Sequence, residues 1–243
     1  MINRATAIFA TAVLICLISA GAHAQLTPYA QSFGGLGQTD PGALAGDGWK
    51  VFANVFGPGG SPYFYGYGPF PAPNSGPPYA FCTIASGEGG AAQGPQQLVV
   101  FSDYNNGDHG VGNLIESNVF QEQVVGPGDV GMTWVFLFDA KRGDLAGAST
   151  ALAFFKTLDP GAGYALTNFI TADMTSIPTS WSTYSLSIFI DPSLEGQILQ
   201  FGFLNNAANY EASGIFYDNI NFAPDGVIST EEASWGKVKS LFE

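Results

Sequence analysis

Across 243 residues the chain carries 7 Lys and Arg against 20 Asp and Glu, a formal net charge of −13. A field of that sign repels nucleic acid, anionic lipid surfaces and polyanionic substrates, and leaves neutral ligands and divalent cations open. With few charges, 32 Gly and 20 Phe, the composition points to aromatic-rich strands joined by many turns.

Residues 1–24 read as a secretory signal. Arg4 supplies the basic start, Ile8 to Ile18 an apolar core too short for a membrane span, and Ala22-His23-Ala24 a cleavage site before Gln25. The alternative is a buried N-terminal helix. The signal implies a secreted or periplasmic protein, and no later stretch is long and apolar enough for membrane insertion. Its removal leaves 6 Lys and Arg against 20 Asp and Glu, with one cysteine, Cys82, and one histidine, His109. No intrachain disulfide is then available, and Cys82, within the strand-like run Tyr79–Ile84, reads as a buried, inert thiol. Residues 25–223 suffice for one all-β domain with a real core.

Residues 25–48 read mostly as loop, with a short strand near Tyr29–Phe33. Trp49–Phe56 is a clear strand. Residues 57–78 hold seven prolines and repeated glycines, which predicts a long irregular excursion. Tyr79–Ala85 and Gln97–Phe101 resume strand character. Asn106-Gly107 is a two-residue hairpin signal that would pair Gln97–Phe101 with Leu114–Val125. Met132–Ala140 is apolar on both faces, as expected of an interior strand. Thr150–Leu158, Ala165–Thr171, Ser182–Ile190, Ile198–Leu204 and Gly214–Phe222 complete the set. Ten or eleven strands at short spacing, without an internal repeat, predict an antiparallel jelly-roll β-sandwich. In the tail, 224–243, Ser229 and Glu232 fit a capping box. Trp235, Val238, Leu241 and Phe242 then recur at helical spacing. This predicts a short amphipathic helix, docked on the domain or serving self-association.

No phosphate-binding glycine motif, nucleophile elbow or zinc-protease motif is present. His109 reads as a solvated hairpin-loop residue. Glycoside hydrolysis needs two carboxylates about 5 to 9.5 Å apart. Glu116 and Glu122 share a strand face but sit roughly 20 Å apart at about 3.3 Å per residue. Binding has a better motif. Tyr63, Tyr65 and Tyr67 lie in a Pro/Gly-rich aromatic run suited to stacking on the apolar faces of sugars, or to folding under as a satellite cluster. Asn54, Asn74, Asp103 and Asn105 offer hydrogen bonds, and Asn206 and Tyr210 mark a second amide-rich loop. Asp103, Asn105 and Asp108 faintly echo a calcium loop. In the closing run, period two places Asp218 with Phe216, Ile220 and Phe222. A carboxylate on that apolar face needs a metal ion or backbone amides as partners.

The export signal, the all-β pattern and the ending Ser213-Gly214-Ile215-Phe216-Tyr217-Asp218-Asn219-Ile220 resemble carbohydrate-binding modules of the galactose-binding-like jelly-roll type. The resemblance spans roughly residues 27–222. It implies that Asp218 meets one structural calcium ion near the chain start, although Phe33 is followed by Gly34 and Gly35 where that family carries a Glu. The function expected is non-catalytic binding of neutral carbohydrate. A surface-assembly protein and a jelly-roll glycoside hydrolase are the alternatives.

Overall fold

A computed structural model describes residues 25–73 and 81–226. The signal-like segment, Asn74 and residues 227–243, where the tail helix is expected, lie outside the described residues. The strands are β1 Tyr29–Gln31, β2 Lys50–Phe56, β3 Tyr63–Tyr67, β4 Cys82–Ser86, β5 Gln96–Val100 and β6 Leu114–Val124. They continue as β7 Thr133–Leu145, β8 Thr150–Asp159, β9 Ala165–Asp173, β10 Ser182–Phe189, β11 Ile198–Ala207 and β12 Ser213–Pro224.

Two six-stranded sheets face each other. One runs β10-β7-β12-β5-β4, with β1 also paired to β12. The other runs β3-β2-β6-β11-β8-β9. Every pairing is antiparallel. This is the jelly-roll sandwich expected from the strand spacing. Inward faces follow from alternation: Val51, Ala53 and Val55 on β2, and Leu186 and Ile188 on β10, are buried while their neighbours face outward.

The sheets are joined by stacked aromatic rings. Phe203 of β11 lies over Tyr217 of β12 at 3.6 Å between centroids, and Phe201 over Phe222 at 4.1 Å. Phe136 of β7 packs against both Phe201 and Phe203, and Trp134 stacks on Phe222 at 4.6 Å. Burying each such ring contributes roughly 1.5–3 kcal/mol before packing gains.

Four expectations are corrected. The β12 register shifts between Asp218 and Asn221, where Asn219 takes a positive φ of 49°. This bulge puts Phe216 on the face opposite Ile220 and Phe222, so unbroken alternation does not hold. Second, β5 and β6 are not a hairpin. β5 pairs with β4 and β12, and β6 pairs with β2 and β11, so the chain between them crosses from one sheet to the other. The crossover contains a 3-10 turn, Gly107–Val111, capped by Asn106, whose side chain accepts the Asp108 N–H at 2.9 Å. Third, the aromatic excursion holds a true strand, β3, on the sheet edge, and the opening loop holds a four-residue helix, α1 Ala43–Gly46. Fourth, only one face of β7 is interior, since Leu137 is exposed to solvent.

Phe203→Ala is expected to lower unfolding free energy by about 3–5 kcal/mol, because it removes a buried ring and leaves a cavity. Phe189→Ala, at an exposed position, is expected to change it by less than about 0.5 kcal/mol. Urea unfolding of both variants checks the contrast.

Candidate functional site

Edge strand β3 projects Tyr65 and Tyr67, cross-strand from Val55 and Ala53, along one face by period two, while a bulge between Tyr65 and Tyr63 turns Tyr63 to the other face, opposite Phe56. They grade outward from the core. Tyr67 packs edge-on against Phe70 and Phe81 at 5.6 and 6.1 Å. Tyr65 is 43% exposed and Tyr63, against Phe56, is 58% exposed. Gly66 on the opposite face is needed for close packing, since a Cβ there would lie 2.7 Å from the Phe52 ring.

The crossover 103–113 meets these rings. Tyr67 donates its hydroxyl proton to Asp103 Oδ2 at 2.7 Å, and Tyr65 donates to Asp108 Oδ2. Asn106 Nδ2 donates to the Tyr67 oxygen at 2.9 Å. Asn113 Nδ2 braces Asp108 Oδ1 at 2.8 Å. The Asn105 N–H donates to Asp103 Oδ1, leaving an exposed side chain with no hydrogen bond among the described residues. Tyr210 reaches in from the β11–β12 loop and donates to the Asn106 carbonyl at 2.8 Å, while its ring stays 55% exposed. Asp108's hydrogen bonds from Tyr65 and Asn113 hold its carboxyl below the usual range. Burial pushes the Tyr67 hydroxyl well up, with Asp103 adding to that rise, so it remains a proton donor.

The structure therefore brings Tyr65, Tyr67, Asp103, Asn105 and Tyr210 to one rim, and places Tyr63 with Phe56 on the other face of the edge strand. Asn206 is elsewhere, opposite Glu116 and Thr150 in register. Asn54 hydrogen-bonds Glu116, away from the rim cluster. Asp103 and Asp108 aim at different tyrosines rather than at a common point, so the calcium-loop echo does not form one set of ligands. Sequence reasoning missed Asn106, which bridges both tyrosines and Tyr210. Its Asn-Gly context signalled a turn and concealed the contacts.

His109 is also corrected. It is 3% exposed, not solvated. Its Nε2 lies 3.0 Å from Ser102 Oγ, and its ring meets Tyr210 edge-on at 5.0 Å. Burial holds its pKa below the usual value, so the ring is neutral at pH 7. Ser102 is fully buried, and among the described residues no carboxylate side chain hydrogen-bonds His109 Nδ1. A triad needs an orienting acid at that nitrogen and an accessible nucleophile, so the pair instead ties the crossover to the core. Cys82 is fully buried and its thiol is pushed well up by burial, as an inert thiol requires. Glu116 sits 3.0 Å from Lys156 Nζ. Burial alone would raise its carboxyl, but Lys156, Asn54 and Asn118 outweigh that and hold it ionised.

Asp218 is fully buried. Its Oδ2 accepts the Gly94 N–H at 3.0 Å and, at 3.5 Å, the Gln97 amide, and its Oδ1 accepts the Asn219 N–H at 2.7 Å. Near the chain start, the carbonyls of Phe33, Gly34 and Leu36 all accept from Gln96 Nε2, at 3.0, 3.0 and 3.2 Å. The oxygens available for the implied calcium thus already accept N–H groups, an arrangement that suits amide donors rather than a cation. Burial raises the Asp218 pKa to about 6, and Asp139, its cross-strand neighbour, adds to the rise.

No family model matches the sequence, and no curated protein does. Among solved structures, the chain is similar to the CBM22-1 xylan-binding domain of Paenibacillus barcinonensis Xyn10C. The identity is 13%, the match covers 83% of this chain and 95% of that one, and the TM-score is 0.41. It is similar to a family 16 carbohydrate-binding module at 14% identity, over 59% of this chain and 85% of that one, with a TM-score of 0.37. It is similar to a cyclase from Fischerella sp. at 10% identity, over 61% and 74% of the two chains, with a TM-score of 0.40. The functional reading of this chain stands on its own residues.

A carboxyl that binds its proton more tightly when folded than when unfolded stabilises the fold fully below the unfolded pKa, about 3.9. That contribution is lost as pH rises through about 6. Between pH 4 and 6.5 the parent protein is expected to lose on the order of 2 kcal/mol relative to Asp218→Asn. Urea titrations across that range test this, and equal slopes would remove the assignment. Chelation with EDTA is expected to leave the melting temperature of the full chain unchanged; a fall of several degrees would instead place an ion at Asp218.

Proposed function

We propose that this chain is a secreted or periplasmic protein that binds neutral carbohydrate at the rim formed by β3, the 103–113 crossover and Tyr210, without chemistry on it. One observation carries the reading. Two part-exposed tyrosine rings, Tyr65 and Tyr210, flank amides and carboxylates that are themselves held in place by hydrogen bonds. Aromatic faces complement the C–H faces of a pyranose, while Asn105 and the neighbouring polar groups match hydroxyls that both donate and accept. Rings fixed by Asp103, Asn106 and Asp108 lose little freedom on binding, which favours affinity. The acidic charge of the chain disfavours sulfated or uronate-rich glycans and leaves neutral ones.

A glycan array with the parent protein is expected to return neutral glycans. Tyr65→Ala and Tyr210→Ala are each expected to weaken binding to the best glycan by about tenfold or more, with the fold intact by melting temperature. No neutral glycan bound by the parent protein would end this reading.

A further inference from the structure

On the outer face of the first sheet lies a groove of about 280 Å³ that the carbohydrate rim does not use. It is lined by Val99, Phe101, Tyr104, Asp144, Gly214 and Phe216, with Ala212 at one side. The Phe101 and Tyr104 rings are stacked at 5.8 Å with only 6° between their planes. The Tyr104 hydroxyl is engaged with Ser213 Oγ at 2.7 Å. Asp144 is exposed, and among the described residues no hydrogen bond or ion pair engages its carboxylate. The only ionisable side chain besides Tyr104 in the lining is therefore this carboxylate. At Gly214 a Cβ would make ordinary van der Waals contact with Val99 and the Asp144 backbone at 3.7 Å, so glycine there leaves the groove wider by one methyl group.

This chemistry differs from that of a sugar site. A polyol needs donors and acceptors in alternation, whereas this groove presents π faces and one negative charge. Aromatic faces with a nearby carboxylate attract an organic cation, through ring quadrupoles and through charge. The same surface already shows the preference within the chain. Lys141 Nζ, paired with Glu88 at 2.8 Å, sits 4.9 Å from the centre of the Phe216 ring and 5.3 Å from that of Trp181. The geometry points to a second ligand site, one that takes an alkylammonium group between Phe101, Tyr104 and Phe216 with Asp144 as counter-ion. The proposal does not depend on the carbohydrate reading.

The test is titration of the full chain with choline and with its uncharged isostere 3,3-dimethylbutan-1-ol, followed by intrinsic fluorescence and calorimetry. Choline is expected to bind at least about tenfold more tightly than the isostere. Asp144→Asn, a surface change that leaves the fold intact, and Phe216→Leu are each expected to weaken choline by about tenfold. Tyr65→Ala is expected to leave choline binding unchanged, which separates this site from the rim. Equal binding of choline and isostere, or undiminished choline binding by Asp144→Asn, overturns the proposal. Absence of any choline binding by the parent protein does so as well.

Discussion

The bulge at Asp218–Asn219 is the constraint on which the sandwich depends. Tyr217 and Phe222 are five residues apart, so an unbroken strand would send them to opposite faces. Their partners, Phe203 and Phe201, are two apart on a regular strand and both face inward. One extra residue in β12 resolves the mismatch and lets both stacked pairs form. Asn219 accommodates the required positive φ, a conformation that Asn tolerates better than most residues.

The same bulge re-aims a carboxylate. Asp218 turns toward the loop before β5 and holds it through the Gly94 N–H, while the Asn219 side chain reaches the Ala92 carbonyl and Asp139. Asp139 in turn accepts from Gln93 and Thr183. A local irregularity thereby organises a hydrogen-bonded strap across β7, β10 and β12. The carboxylates of Asp139 and Asp218, which packing alone would leave without partners, find them there.

Much of the fold was legible because β strands leave a period-two trace. β10, with Tyr184, Leu186 and Ile188 against the core, and β2 were readable residue by residue. The site was legible in part. Tyr65 and Tyr67 alternate as a strand does, but the bulge that turns Tyr63 to the other face leaves no trace in the sequence, and prolines and glycines on both sides made the run look irregular. His109 and Asn106 were misread for one reason: a turn signal tells that the chain bends, not which sheet it enters next. Burial of the crossover depends on β5 and β6 belonging to different sheets, and that is a property of long-range pairing. Asp218 carried the correct alarm, a carboxylate among apolar residues, but the bulge that answers it costs no distinctive residue beyond an Asp-Asn pair.

The clamp at the chain start has a consequence of its own. Three carbonyls of residues 33–36 converge on the side-chain amide of Gln96. That amide is covalently part of the chain and uncharged at any pH. Whatever holds a segment by binding from solution releases it on dilution, because occupancy follows free concentration. This fastening is unimolecular, so the three contacts of Gln96 are insensitive to dilution.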